Sequence, residues 1–401
     1  MKKKLLHTPE GVRDIYNDEC ERIQILTSHL KDTMKLYGYH PIITPTFEFF
    51  DIFSHEIGTT PSKELYKFFD REGNTLVLRP DITPSVARAS AKYFMYEDMP
   101  IRFYYSGNTF INHSSYQGRL KENLQMGAEL IGDNSVLADA EIISMAVACL
   151  TASGLEEFQL SIGHADFFTG LLEASGMDEE TEDELRELIA NKNFFGVEEV
   201  ISNFKIDPDL RKLFQMMGGV YTALSDIQIA LEYAKDYPKI KNALVHLEEL
   251  YRVLEIYGIE KYISYEPGMI SSYQYYTGIV FAGYTYQIGE PVLKGGRYDK
   301  LLSHFGKNSA SIGFAIVIDQ LFAALTRQNI ISPIEEDTEL IIYNTSRQKE
   351  AIFTAMKKRS DGKKVEIICF DSEHTKEDYL EYAARNHRTK IQFMIGETEH
   401  V

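Results

Sequence analysis

Apolar residues recur at helical spacing from Ile23 and Leu26 through Leu30 and Met34, and Gly38 closes the run. That pattern predicts a helix over about residues 17–37. The next stretch, residues 41–50, predicts an extended strand, because Pro41 and Pro45 disfavour helical backbone in the residues before them. Lys67 to Asp70 and Asn74 to Leu78 predict a hairpin around Glu72-Gly73-Asn74. Asp81 to Tyr96 predicts a second helix, with Ile82, Val86, Ala89 and Tyr93 on one side. Strands follow at Ile101 to Ser106 and Leu124 to Ile131, joined by a polar loop holding Gly118. This succession predicts an α+β domain built on an antiparallel sheet.

From about Phe167 to Ile256 the pattern is helical throughout, with acidic clusters such as residues 179–184 that read as solvated helix faces. Strand patterns return at Ile270 to Tyr286, and Ser311 to Leu325 predicts a strand running into a helix. A helical insertion over about residues 167–256, within a sheet domain spanning residues 1–330, accounts for this order. After the proline and acidic junction at 331–337, strands at Leu340 to Tyr343, Val365 to Phe370 and Ile391 to Ile395 alternate with helices over 346–358 and 375–386. Residues 338–401 are thus expected to form a small α/β domain on a parallel sheet.

Composition narrows the function classes. The 401 residues carry 60 Asp+Glu against 42 Lys+Arg, a formal net charge of −18. Gripping a phosphate backbone needs clustered Lys and Arg, so nucleic acid is not an expected partner. Cys20, Cys149 and Cys369 lie far apart without metal-ligand spacing, and read as buried thiols in a reducing compartment, with no metal. The basic opening Met1-Lys2-Lys3-Lys4 leads into no apolar core before Pro9, and no apolar run approaches the roughly 20 residues of a membrane span. The expected location is cytoplasmic.

Several segments carry a resemblance together. They are Thr8 to Asp14 (TPEGVRD), Leu78 to Thr83 (LRPDIT), Gln125 to Glu129 (QMGAE), Ser271 to Gly278 (SSYQYYTG) and Gly295 to Asp299 (GGRYD). In this order and spacing, residues 8–325 resemble the catalytic domain of histidyl-tRNA synthetases, a class II aminoacyl-tRNA synthetase fold. The tail from about residue 338 looks like a shortened anticodon-binding domain.

The resemblance implies a histidine pocket. Recognising a free amino acid takes acceptors for its ammonium and polar groups on a rigid wall. Asp81, Gln125 and Glu129 supply acceptors, Thr83 a hydroxyl, and Tyr105, Tyr275 and Tyr276 flat walls with hydroxyl handles. Positions matching Asp81, Thr83, Gln125 and Glu129 hold the ammonium and its neighbours in the family, and those matching Tyr275 and Tyr276 line the imidazole site. Asp81 is one methylene shorter than the usual glutamate.

Adenylate formation makes a different demand, because charge spreads over phosphate oxygens and arginines stabilise it. Aligned on the family's motifs, Ile111, Ser271 and Gln320 stand where arginines are usual, and His113 replaces an acid. A preorganised transition-state donor contributes about 2.7–4 kcal/mol, so aminoacylation is not expected and no catalytic residue is assigned. Arg119 and Arg297 remain as a source of phosphate affinity.

A retained histidine pocket beside a disabled ATP site is similar to the HisZ family of ATP phosphoribosyltransferase regulatory subunits. That resemblance implies a non-catalytic chain that activates a short-form catalytic subunit (HisG) and mediates feedback inhibition in histidine biosynthesis. It also implies a hetero-octamer of four copies of each chain, with L-histidine as allosteric ligand and no cofactor. An active histidyl-tRNA synthetase and a free-standing histidine sensor are the alternatives.

Overall fold

Helix α1 (Asn17–Leu36) forms where the apolar spacing places it, burying Ile23, Leu26, Leu30 and Met34 along one stripe. The computed structural model describes residues 6–53, 60–113, 119–269, 276–330, 332–334, 338–388 and 390–395. The strand expected over 41–50 divides into β1 (His40–Pro41) and β2 (Phe47–Phe49). Its middle is held elsewhere. The carbonyls of Thr44 and Pro45 accept from the buried Arg79 guanidinium at 2.9 and 3.2 Å, so they are not available to a sheet ladder.

The hairpin forms as β3 (Lys67–Phe69) and β4 (Thr75–Leu78), and with β2 makes a three-stranded antiparallel sheet. Helix α2 (Thr83–Tyr93) starts later than the apolar pattern suggests, with a proline in its first turn. Beyond it come β5 (Ile101–Phe110), β6 (Glu122–Ile131), α3 (Val136–Ala152), β7 (Phe158–His164) and α4 (Ala165–Ser175). Helix α3 left no period in the sequence because it is apolar on nearly every side, from Ile142 and Ile143 to Met145 and Ala146, all buried.

Helices α5 (Glu179–Ala190), α6 (Phe194–Ser202), α7 (Pro208–Met216), α8 (Leu224–Tyr233) and α9 (Pro238–Tyr257) complete the helical block. The acidic cluster opens α5, where Asp178 caps the Thr181 amide and Glu179, Glu180 and Glu182 face the positive end of the helix dipole. The chain then returns through β8 (Ile263–Tyr265), which pairs in parallel with β7, so the block leaves and re-enters the sheet between adjacent strands. Strands β9 (Ile279–Thr285), β10 (Leu293–Arg297) and β11 (Ser311–Val317) and helix α10 (Ile318–Arg327) follow. The eight-stranded sheet runs β1-β5-β6-β11-β10-β9-β7-β8, antiparallel except for its two outer pairs.

Side-chain alternation along β6 divides that sheet into two faces. Met126, Ala128 and Leu130 join the main hydrophobic core with Ile142, Met145 and Ala146 of α3. Gln125, Gly127 and Glu129 face the other way.

Met1–Ser332 and Pro333–Val401 form two compact units. In the second, β12 (Glu339–Tyr343) lies between β13 (Val365–Cys369) and β14 (Lys390–Met394), all parallel. Ile341 packs with Ala351 and Ala355 of α11 (Gln348–Ser360), while Leu340 and Ile342 pack with Tyr379 and Ala383 of α12 (Lys376–Arg385). One helix therefore covers each face.

The cysteine reading needs correction: Cys149 alone is buried, Cys20 is half-buried and Cys369 exposed, each with a free thiol. Among the described residues no helix is long and apolar enough to cross a membrane, and no three His, Cys, Asp or Glu side chains gather to hold a metal ion.

Candidate ligand-binding site

The face of the sheet away from the main core, partly covered by Ile82, Val86 and Ala87 at α2, carries a cleft of about 220 Å³. Register creates it. Opposite Gln125, Gly127 and Glu129 of β6, strand β11 places Val317, Ala315 and Gly313. Strand β10 adds Lys294 and Gly296 beside Ala315 and Gly313, and β5 adds Thr109 and Gly107 beside Asn123 and Gln125. Gly313 and Ala315 line the cleft, while Arg79, Tyr105 and Tyr276 pack over Gly107, Gly127 and Gly296, which have no side chains to exclude them.

Glu129 lies at the closed end, 1% exposed. It accepts from Thr83 Oγ1 at 2.7 Å and from the Tyr298 hydroxyl at 2.5 Å. Gly313 is obligatory here, since a Cβ at that position would lie 1.7 Å from Glu129 Oε2. Burial pushes the Glu129 carboxyl up to about 8; the bonds from Tyr298 and Thr83 pull it down and the Asp81 charge pushes it further up. Asp81 enters from the loop before α2, its Oδ1 accepting the Thr83 amide at 3.3 Å.

Two polar atoms nearby, Gln125 Oε1 and the Tyr105 hydroxyl, are buried without a hydrogen-bond partner among the described residues. Native structures seldom leave such groups unmatched unless a ligand or water completes them. With Asp81 and Glu129 they form an acceptor-rich end suited to an ammonium group. The Tyr276 ring lies over Gly296, whose Cβ, if present, would stand 2.8 Å from it, and forms an aromatic wall.

The other end differs in chemistry. Ile111 and Gln320 line it with neutral side chains. Arg119 also lines it but is paired with Glu290, while Lys294 makes no ion pair among the described residues. Burial lowers the His113 imidazole, opposed by Glu64 at 3.9 Å. Next to Gln320, Asp319 accepts the Leu124 amide at 2.8 Å and faces Arg13 at 3.5 Å, which ties the opening TPEGVRD segment to the cleft.

Asp81, Thr83, Gln125, Glu129 and Tyr276 thus share one cleft, together with Ile111 and Gln320. Tyr105 is on the cleft face but does not line the cleft: it is 2% exposed, its hydroxyl lying over Gly127, 2.4 Å from where a Cβ would sit. Tyr275 and Ser271 lie outside the described residues. Arg297 is unsuited to phosphate, because it is 4% exposed and committed to Asp139 at 2.5 Å.

Sequence reasoning missed Tyr298, Gly313, Glu290 and Lys294. Tyr298 stood in the quoted GGRYD segment, and only the fold shows its hydroxyl reaching across the sheet. Neither Lys294 nor Glu290 carried a signal.

Comparison with known proteins identifies the family and the fold. The family model described as histidyl-tRNA synthetase matches residues 11–321. The ATP phosphoribosyltransferase regulatory subunit of Acetivibrio thermocellus is 38% identical over 362 residues, covering 90% of this chain and 86% of that protein. The protein of the same name from Clostridium novyi is 33% identical and covers 98% of this chain and 93% of its own length. A crystal structure of an ATP phosphoribosyltransferase regulatory subunit/histidyl-tRNA synthetase from Bacillus halodurans superposes with a TM-score of 0.87 at 31% identity, covering 98% of this chain and 99% of that one. Histidyl-tRNA synthetase from Nostoc, at 18% identity and a TM-score of 0.77, shares the fold.

Proposed function

This chain belongs to the histidyl-tRNA synthetase-like family of ATP phosphoribosyltransferase regulatory subunits, and from that premise we propose that its cleft binds free L-histidine and governs a separate catalytic chain. It is a regulatory subunit and not itself an enzyme. One observation carries the ligand reading: the acceptor end of the cleft is complete, with Glu129, Asp81 and Gln125 together, while Ile111 and Gln320 put neutral side chains at the end where phosphates would need cations.

Histidine then binds by its ammonium at Glu129 and Asp81 and by its ring against Tyr276. Tyr275 belongs to the same wall on the family resemblance. The partner is a short-form ATP phosphoribosyltransferase catalytic subunit, assembled with this chain as four copies of each in the cytoplasm. The regulatory chain activates it, and histidine inhibits by favouring one arrangement of the assembly over another.

The test is reconstitution. Phosphoribosyl-ATP formation by the catalytic subunit is measured alone, with this chain, and with this chain plus histidine. Activation followed by histidine inhibition is expected. No activation at any ratio sinks the regulatory reading in favour of a free-standing sensor, and activation without inhibition removes histidine from it.

A further inference from the structure

A chain of buried and half-buried polar groups lies behind the tyrosine wall. Asp139 of α3 is fully buried, and its Oδ1 accepts from Arg297 Nε at 3.0 Å and Nη2 at 2.5 Å. Its Oδ2 lies 2.8 Å from Nε2 of His246 on α9. His246 Nδ1 lies 3.2 Å from Nε2 of His164, and His164 Nδ1 accepts the Asp166 amide at 3.2 Å.

The last contact sets every proton in the chain. An amide must donate, so His164 Nδ1 is bare, and its neutral ring carries hydrogen on Nε2. That hydrogen goes to His246 Nδ1, and His246 Nε2–H goes to Asp139. Burial, with His246 and Arg297 adding, lowers the His164 imidazole to about 3, which keeps the ring neutral. The chain therefore has one polarity, from the start of α4 through α9 to the carboxylate that holds Arg297.

Arg297 in turn brackets the wall. Its carbonyl accepts the Thr277 amide at 2.9 Å, and its side chain passes 3.1 Å from where a Gly278 Cβ would sit. The Asp299 amide donates to Thr277 Oγ1 at 3.0 Å, and the Ala165 amide at the start of α4 donates to the Gly278 carbonyl at 2.8 Å. Residues 276–278 are thus held by β10 on one side and by the first residue of the helical block on the other.

We propose that Asp139 and His246 are positioning residues for the ligand cleft: they fix Arg297, and through it the segment bearing Tyr276, so that the seating of α9 and the shape of the wall are set by one buried carboxylate. Neither residue touches the ligand. Two guanidinium donors converge on one buried carboxylate oxygen while His246 occupies the other, so each oxygen of Asp139 has its own partner, and loss of one donor to a charged acceptor leaves that acceptor short of a bond. The effect on histidine rests on the function proposed above; the effect on the wall does not.

The experiment uses the full chain with His246→Leu, which removes both contacts, and His246→Gln, which can still accept from His164 and donate to Asp139. Amide hydrogen exchange at Ala165, Thr277 and Asp299 is read without ligand, and histidine affinity by calorimetry. In His246→Leu exchange at these amides should rise about tenfold or more and histidine affinity fall by a similar factor, with both restored in His246→Gln. Arg252→Ala, which removes the exposed pair with Glu248 on the same helix, should change neither. Unchanged exchange in His246→Leu overturns the proposal, as does a rise spread equally over the β5 and β6 amides, which marks general destabilisation. Local acceleration in His246→Leu, with a parent chain that itself does not bind histidine, upholds the positioning and sinks the histidine reading alone.

Discussion

Tyr298 donates its hydroxyl to Glu129 Oε2 at 2.5 Å, joining the residue after β10 to the middle of β6 across intervening β11. Both groups are buried, and burial raises the Tyr298 phenol well above its usual range, so it serves as a fixed donor. The contact makes Glu129 a carboxyl poised between forms. Unliganded, it favours the proton; next to an ammonium, it favours the charge.

Ligand affinity should therefore depend on pH. Glu129 is raised from the ordinary 4.5 to about 8, so the empty folded protein holds a proton there that an unfolded chain has lost. The stability this group contributes is full below about 4.5 and is lost as pH rises through about 8. Binding an ammonium reverses the preference and expels the proton. Histidine affinity should rise up to about tenfold between pH 7 and 8, with proton release seen by calorimetry in buffers of different ionisation enthalpy. Constant affinity with no proton release excludes Glu129 as the ammonium's partner.

Glu129→Gln keeps the shape and removes the charge. Histidine affinity should fall about 10- to 100-fold, the loss expected for a hydrogen bond to a charged group, and the pH dependence should vanish. Thermal stability at pH 9 should hold or increase, since the buried charge is gone. A variant that binds histidine like the parent removes Glu129 from the site.

Gly313→Ala tests whether the cleft depends on a missing side chain. The new methyl would meet Glu129 Oε2 at 1.7 Å and the Ala128 carbonyl at 2.6 Å. Overpacking of this kind costs about 1–3 kcal/mol. The midpoint of thermal unfolding should drop and histidine binding should be lost. A crystal structure with Glu129 undisturbed would contradict this.

Tyr298→Phe removes the donor that lowers the Glu129 carboxyl. The midpoint of the pH-dependent binding should move above that of the parent, and affinity at pH 7 should fall. A midpoint that stays or moves down means that another group compensates.

Histidine-dependent exchange of pyrophosphate into ATP should be absent. Ile111 and Gln320 supply no cation, Arg119 is paired with Glu290, and Arg297 is held by Asp139. Each missing transition-state donor lowers the rate by roughly 100- to 1,000-fold. Exchange above background would mean that other groups stabilise the phosphates.

The order of elements was legible where periodicity was strong, as in α1, the β3–β4 hairpin and the parallel C-terminal strands. It failed at α3, apolar all round, and at β10, where glycines in Leu293–Arg297 hide a strand. Residues 41–50 misled for another reason: local proline chemistry suggested one extended run, and a distant arginine claimed its carbonyls.

By itself the sequence determined which acceptors, hydroxyls and aromatic rings are present, in an order similar to one family, and where arginines are replaced by neutral residues. Local spacing carries that information because alternation along β6 alone puts Gln125 and Glu129 on one face. What only the tertiary structure decided is the state of those groups. Glu129 is raised by burial and pulled partly back by partners more than 40 residues away in sequence, Thr83 and Tyr298, and Arg297 is withdrawn from the cleft by Asp139. Protonation and orientation depend on neighbours brought together across strands, and no local pattern records them.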